Sequence, residues 1–241
     1  MSSKTFGQDA EFLKQHTDAI VLSRDDQAIV VVPDYQGRVM TATAGGADGA
    51  SSGWINYELV EQGVLPPEEA AGKLEEHMYA FGGEERFWMG PEGGQYSIFF
   101  APGTPFEFSD WYTPDPIDSE SWKVVSQTDD AVVLTHQFPL QNHSGTRFRV
   151  AVRRGVKLLE DQQVGKLLGV QNDVFLKMVQ PFTVTFVFCP VKNNFSGHNM
   201  VAPCCIFLIQ RLFEKVYHDF PVCLLLHCQG VIFFRRTALA T

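Results

Sequence analysis

Long apolar runs are missing from this sequence of 241 residues. No uninterrupted stretch reaches the roughly 18 apolar residues that a membrane-spanning helix needs. The nearest candidate, residues 222–234, is broken by His227, Gln229 and Gly230. The first ten residues also lack the apolar core of a secretory signal. We therefore expect no membrane span and, by default, a cytoplasmic location.

Motifs for nucleotide binding and for structural zinc are also missing. The sequence contains neither Gly-x-Gly-x-x-Gly nor a phosphate-binding loop with its lysine. Its five cysteines include no Cys-x-x-Cys pair and are irregularly spaced, so we expect no metal and no cofactor. The formal net charge of −9 provides no general basic surface, so we expect no nucleic-acid partner.

The residues that are present are distributed unevenly along the chain. All five cysteines and 9 of the 20 phenylalanines lie in residues 180–241, whereas all four tryptophans precede them. That last segment has 5 basic against 2 acidic residues, in contrast to the acidic chain before it. We therefore divide the chain into a domain at 1–179 and an atypical tail at 180–241.

Alternating and turn-rich segments predict a mainly β domain with a few short helices. Helices are expected at 8–16, 55–62, from 66 onwards and at 164–170. Strands are expected at 19–22, 28–32, 38–43, 95–100, 122–127, 131–137 and 146–152. Many strands joined by short turns favour an antiparallel sandwich.

Polar side chains are densest in residues 81–95, where glycine pairs bracket them. Carboxylates suit sugar hydroxyls, and an aromatic face suits sugar C–H groups. The segment and its upstream flank supply both kinds of group: Glu84, Arg86, Trp88, Glu92 and His77. We predict that Arg86 pairs with Glu92 and that they and Trp88 line a concave, partly exposed surface with His77 at its rim. The alternative is that an Arg86–carboxylate pair only holds a glycine-rich bulge while Trp88 lies in the core.

A second charged group lies on the last predicted strand. Its apolar residues alternate with Arg147, Arg149 and Arg153, which therefore share one face. Such a row suits an anionic ligand, but the solvated face of a sheet explains it more simply. His136 and His143 are interpreted as surface or strand-end residues.

Four segments together resemble an uncharacterised bacterial family, a domain of unknown function that occurs in secreted or lipid-anchored proteins. They are residues 6–17, 32–43, 53–57 and 81–100. The most specific is Gly-Gly-Glu-Glu-Arg-Phe-Trp-Met-Gly-Pro-Glu-Gly-Gly-Gln at 82–95. The resemblance covers about residues 5–179 and implies an antiparallel supersandwich of the galactose-mutarotase-like type, here incomplete, with periplasmic or secreted relatives.

The resemblance also implies a sugar-type ligand, without a reaction. Motif matching carries over the following candidate binding residues: Arg86, Trp88, Glu92, His77, Glu84, Gln95, Asn56 and Arg38, together with Trp54. Catalytic residues stay unassigned. Aldose mutarotases use a histidine acid and a carboxylate base from the later part of the sandwich. No matching histidine motif occurs here, so mutarotase activity is not expected of this chain.

The resemblance ends where the composition changes, at about residue 180. We hypothesise a shifted reading frame after Val179; the rival is a genuine alternative tail whose amphipathic stretch at 205–217 docks on the sandwich. An incomplete sandwich leaves sheet edges uncovered, so self-association through them is expected. Translating the coding DNA in the other two frames separates the two ideas, because a shifted frame predicts an Asn-, Thr- and Trp-rich continuation.

Two functions stay open from the sequence. The first is a carbohydrate-binding, or carbohydrate-modifying, β-sandwich protein that takes a carbohydrate or another small polar ligand. The second is a non-catalytic structural or interaction module, in which the same residues hold the fold together. Whether the protein is an enzyme is left open.

Overall fold

A computed structural model describes residues 4–79, 82–160, 162–163, 179–191 and 229–235. Within them the protein is mainly β, with two antiparallel sheets and a few short helices. This coarse description agrees with the predicted fold class. None of the described helices has the length and apolar character that crossing a bilayer requires.

The first sheet follows an N-terminal helix. Helix α1 (Phe6–His16) begins with a capping box, in which Thr5 and Gln8 each accept a hydrogen bond from the other's backbone N–H. Three strands follow in the sheet order β1–β2–β3: β1 (Ile20–Arg24), β2 (Gln27–Val32) and β3 (Arg38–Thr43). All three predicted strands of this region are confirmed.

Residues 44–122 connect the two sheets with little regular structure. They contain the short helices α2 (Tyr57–Gln62) and α3 (Pro67–Ala70) and three 3₁₀ turns, Leu74–Glu76, Phe108–Asp110 and Asp115–Ile117. The predicted strand at 95–100 is wrong, since only Phe100 pairs, in an isolated bridge with Trp111. The Ser97 hydroxyl donates to Glu92 O and accepts from Phe99 N, which turns the segment back on itself.

The second sheet has five antiparallel strands in the order β4–β5–β6–β7–β8. They are β4 (Lys123–Gln127), β5 (Ala131–Gln141), β6 (Arg147–Leu158), β7 (Val179–Val191) and β8 (Gln229–Arg235). The predicted hairpin over residues 128–130 is confirmed. Strand β7 crosses the predicted domain boundary, so this sheet includes part of the segment that the sequence assigned to the tail.

Two apolar cores lie on opposite sides of the first sheet. Strand β2 alternates between them: Ile29 and Val31 face the larger core, whereas Val30 and Val32 face the smaller one. The larger core also receives the buried face of the second sheet, and the smaller one receives α1 and α2. The first sheet is therefore a middle layer between helices and the second sheet.

Candidate functional site

Arg86 lies inside the protein. Its Nη2 donates to Asp118 Oδ1 at 3.1 Å, and both side chains are at most 6% exposed. Asp118 Oδ2 accepts a second hydrogen bond from Tyr79 N at 2.6 Å. The predicted pairing of Arg86 with Glu92 is wrong, because a 3₁₀ turn brings Asp118 to the guanidinium instead. Burial lowers the pKa of Arg86, and the Asp118 carboxylate opposes that effect.

Trp88 joins this ion pair to a series of aromatic rings. The Arg86 guanidinium lies 4.5 Å from the centre of the Trp88 ring, so the prediction that they share one face is confirmed. Trp88 Nε1 donates to Glu92 Oε1 at 2.8 Å. We call five rings the aromatic stack; their centres are separated in order by 4.9, 5.8, 6.2 and 4.6 Å, and they are Trp88, Phe99, Trp111, Phe108 and His77.

The aromatic stack runs from the interior to the surface. Trp88 is 4% exposed, whereas Phe108 is 64% exposed. His77 is half-buried at the outer end, and its Nδ1 lies 2.6 Å from Trp111 O. The carbonyl can only accept, so Nδ1 is the donor. The aromatic stack therefore holds one mostly exposed ring, that of Phe108, against two neighbouring rings.

Only some of the residues that were predicted to line a partly exposed surface are accessible to solvent. Glu92 and Gln95 are exposed, and His77 is half-buried. Arg86 and Trp88 are buried, so their predicted partial exposure is wrong. The reason is the stacking of Phe99 on Trp88 and the buried ion pair around Arg86, which exclude solvent from both side chains.

Further exposed aromatic residues lie in the same loop. Tyr96 is 64% exposed, Phe106 53% and Tyr112 37%. Phe106 packs against His143, with ring centres 4.3 Å apart. Exposed aromatic residues indicate a binding surface only where they form a contiguous patch, so these residues by themselves do not define a site.

Arg38, the first residue of β3, is 1% exposed. Its Nη1 donates to Gly82 O at 2.9 Å, while Nε and Nη2 have no hydrogen-bond partner among the described residues. Burial lowers the pKa of Arg38 well below its ordinary value, and the nearby charge of Arg86 adds to this effect. Gly83 permits the close packing here, since a Cβ on it would lie 2.9 Å from Arg38 Cδ and its φ is +87°.

Glu84 is a buried carboxyl group, 4% exposed. Its Oε1 accepts a hydrogen bond from the Ser52 hydroxyl at 2.5 Å, and its Oε2 has no partner within the part of the chain that is described. Burial raises the pKa of Glu84 to about 7, although the Ser52 hydroxyl lowers it in part. The group therefore changes charge near neutral pH.

A second buried ion pair, between Glu85 and Arg154, was not predicted from the sequence. Arg154 Nη1 lies 3.3 Å from Glu85 Oε1, and Nη2 makes a closer contact with Oε2. The signal for it was present in β6: Arg154 has the same parity as the inward-facing Val150 and Val152. The predicted outward parity of Arg147, Arg149 and Arg153 is confirmed by their exposure.

Gln36 was missed as well. It is fully buried with φ +57°, and its side-chain amide donates to Phe87 O at 3.1 Å and accepts from Phe87 N at 2.5 Å. The amide thus satisfies both backbone groups of Phe87, as a neighbouring strand would. No periodic feature of the sequence pointed to this residue or to Asp118.

Asn56 has a local structural contact. It begins α2, and its Oδ1 accepts from Leu59 N at 3.3 Å. Trp54, two residues before Asn56, is 53% exposed, and its carbonyl accepts a hydrogen bond from Gly83 N at 2.8 Å. Asn56 and Trp54 therefore border the glycine pair of the 82–95 motif.

Residues 49–53 have the Gly-x-Ser-x-Gly spacing of a hydrolase nucleophile elbow. They lie in the loop between β3 and α2, and Ser51 Oγ is 2.6 Å from Thr41 Oγ1. A Cβ on Gly53 would lie 2.0 Å from Met40 O, so the glycine is required by packing. The close approach of Gly53 to the backbone of Met40 therefore accounts for the last glycine of this pattern.

In the described part of the chain, no three His, Cys, Asp or Glu side chains are grouped to hold a metal ion. The tail cysteines and histidines considered from the sequence lie outside the residues whose side chains are described, as does the predicted helix at 164–170.

Fold and site together describe a mainly β domain built around buried ion pairs, with an aromatic stack that reaches the surface. Residues 4–195 match a family of unknown function, DUF6786. The chain therefore belongs to that family, in agreement with the predicted uncharacterised domain. The match extends past the predicted end at about residue 179. No curated protein and no solved structure matches the chain.

Proposed function

We propose that this protein binds a carbohydrate at the exposed Phe108 ring of the aromatic stack. The observation that supports it is the ring of Phe108, which is 64% exposed and stacked at 12° on Trp111. A ring already held in a fixed plane loses little conformational entropy when a sugar ring packs on it. Mostly apolar surface with a few placed polar groups is the usual composition of a small-molecule site.

Three polar residues provide hydrogen-bonding groups in this region: His77 contacts the Phe108 ring, whereas Glu92 and Gln95 are exposed in the segment that follows Trp88. Glu92 is exposed, and Trp88 Nε1 orients its carboxylate, which accepts hydrogen bonds from sugar hydroxyls. Gln95 both donates and accepts. In neutral His77, Nε2 is the acceptor, because Nδ1 faces a carbonyl oxygen. We propose binding alone and assign no reaction.

We also propose that the two sheets belong to the galactose-mutarotase-like supersandwich type. The support is the packing of two antiparallel sheets on one apolar core and the length of β6 and β7, 12 and 13 residues. A crystal structure of a family member whose two sheets do not continue into a supersandwich would contradict this proposal.

Calorimetric titration with a panel of mono- and oligosaccharides tests the binding site. For a sugar that binds the unchanged protein, Phe108→Ala should abolish binding and leave the melting temperature nearly unchanged, because the ring is mostly exposed. Val64→Ala is the matched control, since Val64 is 59% exposed and lies outside the aromatic stack. Absence of binding by any sugar, or equal binding by Phe108→Ala, would contradict the proposal.

The burial of Arg38, Glu84 and Arg86 favours the second function, a structural or interaction module without a small-molecule ligand. Two substitutions separate the functions. Loss of sugar binding in Glu92→Gln at unchanged stability supports the binding site. Loss of stability in Arg86→Ala, with Glu92→Gln silent in both measurements, supports the module.

A further inference from the structure

The side of the second sheet that faces away from the larger apolar core is strongly basic. Residues opposite each other in antiparallel strands share a face, so the pairings of β4, β5 and β6 define this outer face. No acidic residue occupies a position on it in these three strands. Five basic residues do: Lys123, Arg147, Arg149, Arg153 and Lys157.

This surface contrasts with the rest of the protein, whose sequence has 28 acidic and 19 basic residues. All five basic side chains are exposed. None of them forms a salt bridge with any described residue. Lys157 lies near Asp130 and helps to lower the pKa of that carboxyl group, whereas the other four charges are available to a partner, for which an anionic one is the electrostatic complement.

We propose that the outer face binds a linear anionic polysaccharide that carries carboxylate or sulfate groups. Arg149, Arg153 and Lys157 follow one another at four-residue intervals along β6, about 13 Å apart. Lys123 lies two strands away from Arg153, at about 10 Å. Nucleic acid has a phosphate every ~3.4 Å along each strand, far denser than these cations. A polymer with sparse anionic groups matches the spacing.

The neutral positions of the outer face favour the same partner. Thr135, Gln137 and Gln141 supply hydroxyl and amide groups between the cations, which suit sugar hydroxyls. The face has no aromatic residue in β4, β5 or β6 on which bases could stack. Its apolar side chains there, such as Val133 and Pro139, are small, and the face has no Trp, Phe or Leu in these strands to insert into a membrane. This surface is separate from the aromatic stack, so the inference does not depend on the proposed function.

Binding of hyaluronate and of kappa-carrageenan to the full chain, each measured at about 50 mM and about 200 mM salt, tests the inference, because these polymers carry a carboxylate or a sulfate only on every second sugar. The double variant Arg149→Ser/Arg153→Ser should bind about tenfold more weakly, and its salt slope should fall by about two. The control is Lys14→Ser/Lys73→Ser, which removes the same net charge from exposed residues elsewhere and should bind as the unchanged protein does. Melting temperatures verify that both variants are folded.

Binding of hyaluronate alone assigns the carboxylate polymer, and binding of kappa-carrageenan alone assigns the sulfate polymer. The inference is overturned if neither binds, if both double variants lose affinity equally, or if single-stranded DNA or anionic lipid vesicles bind more tightly than either polysaccharide. Phe108→Ala should leave this binding unchanged, so failure here is distinguishable from failure of the sugar site.

Discussion

Charged side chains have opposite surroundings in two regions of this protein. Six charged residues form a buried group, which we call the charged interior: Arg38, Arg86, Arg154, Glu84, Glu85 and Asp118. Glu92, which accepts the Trp88 Nε1 hydrogen bond, is in solvent instead. Both regions draw on the same motif at 82–95. Residue type alone therefore does not distinguish a binding group from a structural one; the burial and the partners of the side chain do.

Loss of a partner should therefore cost much in the charged interior and little at the surface. A buried charge without its partner cannot be solvated, whereas water replaces the partner of an exposed one. Four substitutions, from the largest expected effect to the smallest, test this difference.

Glu85→Ala should have the largest effect, because it leaves the guanidinium of Arg154 buried without its carboxylate. We expect a loss of about 4 kcal/mol in the free energy of unfolding, measured by urea denaturation. The neighbouring Arg153→Ala is the control, because Arg153 is exposed on the other face of β6, and its effect should stay within about 0.5 kcal/mol. Equal losses in the two variants would remove the distinction between interior and surface.

Glu84 should make stability depend on pH. Its pKa is raised by burial from 4.5 to about 7, so the folded state binds more protons than the unfolded state between those values. The contribution of Glu84 to the free energy of unfolding is fully present below about pH 4.5. It falls by something on the order of 3 kcal/mol as the pH rises to about 7. Glu84→Gln removes this dependence.

Urea denaturation of both proteins at about pH 5 and about pH 8 measures the effect of Glu84. The Gln variant should gain stability relative to the unchanged protein at the higher pH. Other carboxyl groups contribute equally to both proteins and cancel in the difference. A difference that is the same at both pH values would show that the Glu84 carboxyl is not perturbed.

Arg86→Met should cost about 2 kcal/mol, less than the loss of Glu85, because Asp118 keeps its hydrogen bond from Tyr79 N. Glu92→Gln, measured in the same urea series, should change stability by no more than about 0.5 kcal/mol. A large loss of stability in the Glu92 variant would show that Glu92 stabilises the fold as the residues of the charged interior do.

Trp88→Phe should have a smaller effect, about 1 kcal/mol, because the ring stack with Phe99 is retained and only the Nε1 hydrogen bond to Glu92 is lost. Thermal unfolding measures this loss. Trp88 connects the two regions, so the same variant should weaken sugar binding through a less well-oriented Glu92. Unchanged affinity would show that this orientation has no role.

Elements with local signals were predicted well from the sequence. The strand at 38–43 agrees with β3 residue for residue, and the turn at 128–130 was recognised from its Thr-Asp-Asp sequence. Alternation and turn residues act over a few positions, so they are visible in a single sequence. The strand predicted at 95–100 is wrong for a local reason as well. The Ser97 hydroxyl forms hydrogen bonds with the backbone of Glu92 and Phe99, and these bonds compete with strand pairing.

The charged interior was not predicted, because its partners are distant in sequence. Arg86 and Asp118 are 32 residues apart, and Glu85 and Arg154 are 69 apart. No local pattern joins such residues; only the parity of Arg154 in β6 indicated that it faces inward. The members of the 82–95 motif were recognised, but their burial depended on segments whose position the sequence did not indicate.

The adjacency of Arg153 and Arg154 has a consequence for folding. They point to opposite faces of β6, so a one-residue slip between β5 and β6 would exchange them. The slipped sheet would turn Arg147, Arg149 and Arg153 toward the apolar core and would take Arg154 away from Glu85. Only one alignment both keeps the outward cations in water and gives the buried carboxylate its partner. The ion pair therefore favours the observed alignment of β5 and β6 over a slipped one.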